Sequence, residues 1–279
     1  MKLIVHADDF GISEKVNEGI LQAYLYGILT STSIMANGRA FDDAVSIARS
    51  NPNLDVGIHL TLSEESPLLA REDIATLVGA NGTFHGHAIE FSKRYLLGKI
   101  KLEHVRKELK AQVKRILKAG ICASHLDSHQ HLHMLPGVLD IVVELSKEYC
   151  IPGIRLPWES GLVANIRRIP LDRIVQGLAL NLFCRIGSGK IERKADVFAG
   201  FLHSGKLNRN NLLTVLTNLG PNGTCEIMCH PGVEDRNSCY KHWGYHWSDE
   251  LSALMDEEVW DVLQQKGVEL ISYRHLANL

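Results

Sequence analysis

An α/β barrel is the fold class that this 279-residue sequence predicts. Three observations lead there. Short β-rich runs alternate with segments of helical periodicity. Several of those runs are apolar almost throughout, as expected of parallel strands covered on both faces. Eight of them fit into a chain of the length a closed barrel needs. No Pro/Gly/Ser-rich linker, low-complexity tract or shift in composition divides the chain, so one domain over 1–279 is expected.

The first strand, 3–7, runs into Asp8-Asp9-Phe10-Gly11. Ser13 then stands as N-cap of a helix with Val16, Ile20, Ala23 and Tyr24 on one stripe and Gly27 as its C-cap. Strands follow at 32–36 and 55–61. From 63 to 100 neither period persists: Pro67, Asn81-Gly82 and His85-Gly86-His87 interrupt short apolar clusters. So long an excursion after a strand predicts a lid or substrate-binding insertion. Segment 101–119 gathers Leu102, Val105, Leu109, Val113, Ile116 and Leu117 on one face, with its basic residues on a solvated face, and stops at Gly120. The remaining strands are expected at 123–127, 153–156, 196–198, 225–229 and 269–273. Ser248 opens a helix through Leu251, Leu254, Met255, Val259, Val262 and Leu263 to Gly267.

Thirty basic residues against thirty-two acidic ones leave a formal charge of -2, which gives no reason to expect nucleic acid or an anionic membrane as partner. The first residues reach Asp8-Asp9 too soon for a signal-peptide core and no stretch approaches a membrane span, so a cytoplasmic protein is expected. Six cysteines occur without a CxxC pair and read as reduced, mostly buried residues. Cys225-x3-Cys229-His230 lacks the spacing of a zinc ribbon or finger and brackets an apolar run that reads as a buried strand.

In parallel α/β folds the active site collects at the C-terminal ends of the strands, and that is where the chemistry-bearing residues stand. His125-Leu126-Asp127-Ser128-His129-Gln130-His131-Leu132-His133 sets four imidazoles and a carboxylate at alternate positions, which in extended chain share one side. Imidazole and carboxylate suit a divalent cation such as zinc. Asp8 and Asp9, adjacent after a buried strand, need a cation, a donor or solvent to offset them; otherwise they form a turn or cap pair. As sequence neighbours they are expected to point differently, one ligating a metal and the other holding a water as base. His59 with Asp9 and His129 completes a two-imidazole, one-carboxylate set that leaves positions open for water and substrate. His230 ends the seventh strand on the same rim. Arg155, a cation in an apolar strand, calls for an anionic partner, in an ion pair or in the site.

Taken together, Ala7-Asp8-Asp9-Phe10-Gly11, Gly57-Ile58-His59-Leu60, 125–131 and Met228-Cys229-His230-Pro231 resemble, in order and over nearly the whole chain, the YdjC-like carbohydrate deacetylase family. That family includes the chitooligosaccharide (ChbG) and hopanoid-biosynthesis (HpnK) deacetylases. Thr30-Ser31-Thr32-Ser33 with Asn37-Gly38 and the terminal Ser272-Tyr273-Arg274 resemble it too, and Arg155-Leu156-Pro157-Trp158-Glu159 is nearer the hopanoid branch. The resemblance implies a distorted TIM-like (β/α) barrel related to polysaccharide deacetylases. It implies one divalent metal ion, Mg2+ or Zn2+, held by Asp9, His59 and His129, with Asp8 as base and His230 as catalytic histidine. His125, Asp127, His131, His133 and Arg155 then support the site or face substrate.

The expected reaction is metal-assisted removal of an N-acetyl group from an amino sugar, with His230 protonating the departing amine. Trp243, Tyr245 and Trp247 either stack on sugar rings or pack among themselves. The rivals are a metal-dependent phosphoesterase and a carbohydrate-binding protein without catalysis. The former wants a more basic rim or a second metal, and the latter has no use for Asp8 or His230. A homodimer is one open assembly.

Overall fold

The computed structural model describes residues 1–160 and 169–276. Its strands are β1 (Lys2–Phe10), β2 (Ser31–Ile34), β3 (Asp55–Leu60), β4 (His125–Ser128), β5 (Gly153–Ile154), β6 (Val197–Ala199), β7 (Thr224–Cys229) and β8 (Glu269–Leu270). The helices are α1 (Glu14–Tyr26), α2 (Phe41–Ser50), α3 (Ala88–Leu96), α4 (Leu102–Lys118), α5 (Val138–Glu148), α6 (Leu171–Gly187), α7 (Arg209–Asn218), α8 (Trp247–Leu254), α9 (Glu257–Gln265) and α10 (Tyr273–Leu276). Every one of the eight expected strands is present, shifted by a few residues at the ends.

All strand pairs are parallel, in the order β5-β4-β3-β2-β1-β7-β6. β8 joins β1 at Lys2 and Leu3, and β2 joins it from His6 onward, so the two share one edge of β1 while β7 takes the other. Bridges Gly153↔Arg193 and Glu159↔Phe198 bring the two ends of the row together, curling the sheet toward a closed barrel. β1 pairs with three strands, and all but its first residue are buried.

The two faces of that sheet differ. Leu3, Val5, Ala7, Ile58, Leu126, Cys225, Ile227 and Cys229 belong to the large apolar core shared with the helices. The opposite face carries an apolar cluster at its foot, where Ile4 meets Ile271, Tyr273 and Leu276. Above them His6, Ser33, His59, His125, Asp127, Arg155 and Glu226 are all buried. The sequence suggested strands apolar on both faces; the barrel interior is instead polar, which is tolerable because its groups bond to one another.

Local signals explain the helices and two departures from expectation. The Ser13 hydroxyl accepts from the Val16 N–H at 3.3 Å and caps α1. Gly27 ends α1 without adopting a left-handed conformation (φ -126°), its N–H returning to the Ala23 carbonyl at 3.1 Å. The helix expected from Ser248 to Gly267 is two helices. α8 stops at Leu254, and the Asp256 carboxylate accepts from the Glu258 N–H at 3.0 Å to start α9 afresh, a capping bond that competes with helix continuation.

The insertion after β3 is fastened from below by α4. Gln112 accepts from the Thr61 N–H at 2.8 Å and donates to its carbonyl at 2.8 Å, while Glu108 accepts from the Leu68 and Leu69 amides at 2.9 and 3.1 Å. Ile74, Leu77, Val78, Phe84 and Phe91 carry the insertion into the main core. Among the described residues no helix is long and apolar enough to cross a membrane.

Candidate active site

Regular alternation would send Asp8 into the barrel and Asp9 out of it. It does not, because β1 bulges: the pairing with β2 slips between Ala7 and Phe10, and Asp9 takes φ +65°, a left-handed value uncommon for a residue with a side chain. Both carboxylates therefore enter the site, Asp8 toward Arg155 and Asp9 toward His59 and His129. The run from His125 departs from expectation as well. The strand ends at Ser128, and His129–Met134 forms a 3-10 turn with Gln130 and His131 both at φ +56°, so only His125 and Asp127 keep the strand alternation.

The centre is a row of alternating carboxylates and imidazoles. Asp127 Oδ1 lies 2.9 Å from His59 Nδ1, and His59 Nε2 lies 3.3 Å from Asp9 Oδ1. Asp9 Oδ1 lies 3.0 Å from His129 Nδ1, and His129 Nε2 lies 3.1 Å from Glu64 Oε2. Burial opposes a charge on His59, but the carboxylates of Asp127 and Asp8 and the bond to Asp127 outweigh it and lift its pKa to about 10. Burial likewise opposes a charge on His129, which Asp9 and Glu64 overcome, lifting it to about 9. Asp9 itself is held far below the usual carboxylate range, burial being outweighed by His129 and His59.

A field that draws protons onto two buried imidazoles equally draws a cation. Asp9, His59 and His129 each offer a ligand atom within 4.8 Å of the others, and Asp9 Oδ2 and His59 Nε2 are buried without a hydrogen-bond partner. Three buried carboxylates, Asp8, Asp127 and Glu226, share the guanidinium of Arg155, and Asp9 has only His59 and His129 beside it, so without protons on those two imidazoles the set is short of positive charge. The residues fit a divalent ion.

Arg155 organises the floor of the site. Its Nη1 and Nη2 donate to Asp8 at 2.9 and 2.8 Å, its Nε to Glu226 at 2.7 Å, and Nη1 also lies 2.8 Å from Asp127. The fork on Asp8 fixes the plane of that carboxylate. Glu226 also accepts from the Tyr273 hydroxyl at 2.5 Å, and Ser33 joins His6, His59 and Asp127 at 2.9–3.1 Å. His125 lies below, stacked on Tyr273 at 3.8 Å and edge-on to His6 at 4.8 Å. A Cβ on Gly57 would meet its ring at 2.3–2.6 Å, so β3 needs glycine there.

The other expected residues are placed as follows. His133 is clipped between Ser128 Oγ (2.7 Å) and the Arg155 carbonyl (3.0 Å), and burial drives its pKa down to about 4. His131, whose pKa burial also holds well below the usual imidazole value, packs on Phe198 and Phe201 with ring centroids 5.7 and 5.6 Å away. His230 follows β7, one residue past Cys229, which the register sets opposite Ala7. It is buried, and its Nδ1 has no hydrogen-bond partner, with Glu250 3.9 Å away. Between His129 and His230 runs a line of rings: Trp243 at 5.0 Å from His129, Tyr245 at 5.5 Å from Trp243, and His230 at 4.7 Å from Tyr245. The aromatic segment thus lies against the site. Cys225 and Cys229 point to the outer core, and burial pushes both thiols upward, which disfavours metal binding by them.

Sequence reading missed Glu64. The only signal was an acidic pair, Glu64-Glu65, a few residues beyond His59 in a segment with no periodicity.

The sequence profile of the YdjC-like protein family matches residues 2–265. A carbohydrate deacetylase of Geobacillus stearothermophilus is 32% identical over 282 residues, covering 99% of this chain and 98% of the relative. One of Clostridium beijerinckii is 30% identical over 277 residues, covering 99% and 100%. A solved protein of Enterococcus faecalis V583, provisionally described as a cellobiose-phosphate cleavage protein, superposes with a TM-score of 0.78 at 28% identity, covering 99% of this chain and 98% of that one.

Proposed function

The chain belongs to the YdjC-like family and is a carbohydrate deacetylase, and on that premise we propose that it hydrolyses the N-acetyl group of an amino sugar at a single divalent-metal site formed by Asp9, His59 and His129. The observation that carries this reading is the short-of-charge set itself: two imidazoles converge on Asp9 with an unpartnered carboxylate oxygen and an unpartnered ring nitrogen facing inward. Such a nitrogen-rich donor set favours zinc over magnesium, which prefers oxygen ligands. A bound dication supplies Lewis acidity toward the amide carbonyl and the attacking water.

The protein groups divide the proton work. Asp8, its plane fixed by the Arg155 fork, takes the proton of the water. His230, one residue past the Ala7↔Cys229 pair, delivers a proton to the departing amine, which leaves poorly unless protonated. Trp243 and Tyr245, lying against His129 and His230, supply faces on which a sugar ring stacks. The insertion over 63–100 forms a wall of the same cleft, since its Glu64 reaches His129.

The test is acetate release from N-acetylglucosamine oligomers and from N-acetylglucosamine-bearing glycolipids, before and after EDTA treatment, with metal content measured on the purified protein. EDTA-insensitive acetate release would overturn metal dependence. Release from neither substrate class, with phosphate released from sugar phosphates, would favour the phosphoesterase alternative.

A further inference from the structure

We infer that Glu64 is a positioning residue for the metal site, fixing the tautomer of His129 and tying that ligand to the aromatic segment. The inference rests on the reading of Asp9, His59 and His129 as metal ligands. Glu64 sits at the start of the insertion with φ +64°, a conformation that costs a non-glycine residue energy and aims its carboxylate at the site.

That carboxylate gathers four donors from three separate segments. Its Oε2 meets His129 Nε2 at 3.1 Å and Gln130 Nε2 at 2.6 Å; its Oε1 meets Trp243 Nε1 at 2.9 Å and His87 Nδ1 at 2.9 Å. Gln130 in turn accepts from the Ala88 N–H at 2.5 Å, holding the insertion and the 3-10 turn together. A carboxylate accepting the Nε2–H leaves the His129 Nδ1 lone pair toward Asp9, the side on which a cation would be held. Asp127 does the same for His59 from the other end of the row, bonding Nδ1 and leaving Nε2 inward. Both imidazoles thus have a carboxylate behind them, one from the barrel and one from the insertion. Seating of the insertion, with Glu64 at its start, therefore completes the metal site.

The experiment measures zinc affinity of the full-length, metal-stripped protein by competition with a chromophoric chelator, alongside the visible spectrum of the Co2+-loaded protein. Glu64→Ala is expected to weaken zinc binding 10- to 100-fold. Glu64→Gln, which preserves side-chain shape, is expected to weaken it by a smaller factor and to shift the Co2+ bands. Trp243→Phe removes one donor to Glu64 but spares the bond to His129, and should change zinc affinity by less than about threefold. Zinc affinity within about threefold of wild type in both Glu64 variants overturns the inference while leaving the metal reading intact. If Asp9→Ala binds zinc as tightly as wild type, the metal reading itself fails and the role of Glu64 falls with it.

Discussion

Gly57→Ala tests the packing beneath the site most directly. The added methyl would lie 2.3, 2.4 and 2.6 Å from Cε1, Nε2 and Nδ1 of His125, where ordinary contacts are about 3.5–4.0 Å, so the ring must retreat by more than about 1 Å. It has nowhere to go. Tyr273 stacks on it at 3.8 Å, His6 abuts it at 4.8 Å, and its own Cβ already lies 2.8 Å from where a Cβ on Gly153 would sit. The cost belongs at the upper end of overpacking, about 3 kcal/mol. With an unfolding entropy of about 2.1 cal/mol/K per residue, that lowers Tm by about 5 °C. Calorimetry on the single variant and on Gly57→Ala/His125→Ala completes the test, since deleting the ring makes room for the methyl and the two changes should be strongly non-additive. A Tm within about 1 °C of wild type for Gly57→Ala, or additive effects in the double variant, would refute the reasoning.

Asp8→Asn is expected to lower kcat by about 10²- to 10⁴-fold while zinc affinity changes little, as acetate-release kinetics and chelator competition would show. His230→Ala should lose much less activity on 4-nitrophenyl acetate than on an N-acetylated sugar, because a nitrophenolate departs without protonation; equal losses on both would remove His230 from the acid role. Arg155→Lys keeps the charge but loses the fork across Asp8, Asp127 and Glu226, and a destabilisation of about 2–5 kcal/mol should appear in urea melts. For pH, the metal-free His59 has its pKa raised from 6.5 to about 10, so the stability it contributes is complete below 6.5 and lost as pH rises through about 10. Metal binding must displace those protons and strengthens over the same range. The Tm difference between zinc-loaded and metal-free protein should therefore widen from pH 6 to 9; a constant difference would contradict the placement of the ion beside His59.

The order of elements was legible because strand and helix periods alternate cleanly, and the site motifs were legible because they trail the strands. What was hidden depends on backbone irregularity or on distance along the chain. The bulge that lets adjacent Asp8 and Asp9 both enter the site was hidden, since it leaves no signature beyond Phe10-Gly11. The odd positions through His133 were expected to share one side because nothing in Gln130-His131 announces two left-handed residues. The Asp256 cap was overlooked because the apolar stripe continues in phase across it. Glu64 acquires meaning only when a segment more than sixty residues before His129 folds back over it.

The guanidinium of Arg155 collects its partners from β1, β4 and β7 while standing just past β5. Strands at opposite ends of the chain thus share one charge balance. A fragment stopping before β7, or a split protein whose halves meet imperfectly, would hold the cation with part of its complement missing. Assembly is then close to all-or-none. For protein engineering, the barrel is a poor candidate for division at its loops, however exposed they are, and a better one for grafts confined to the mouth.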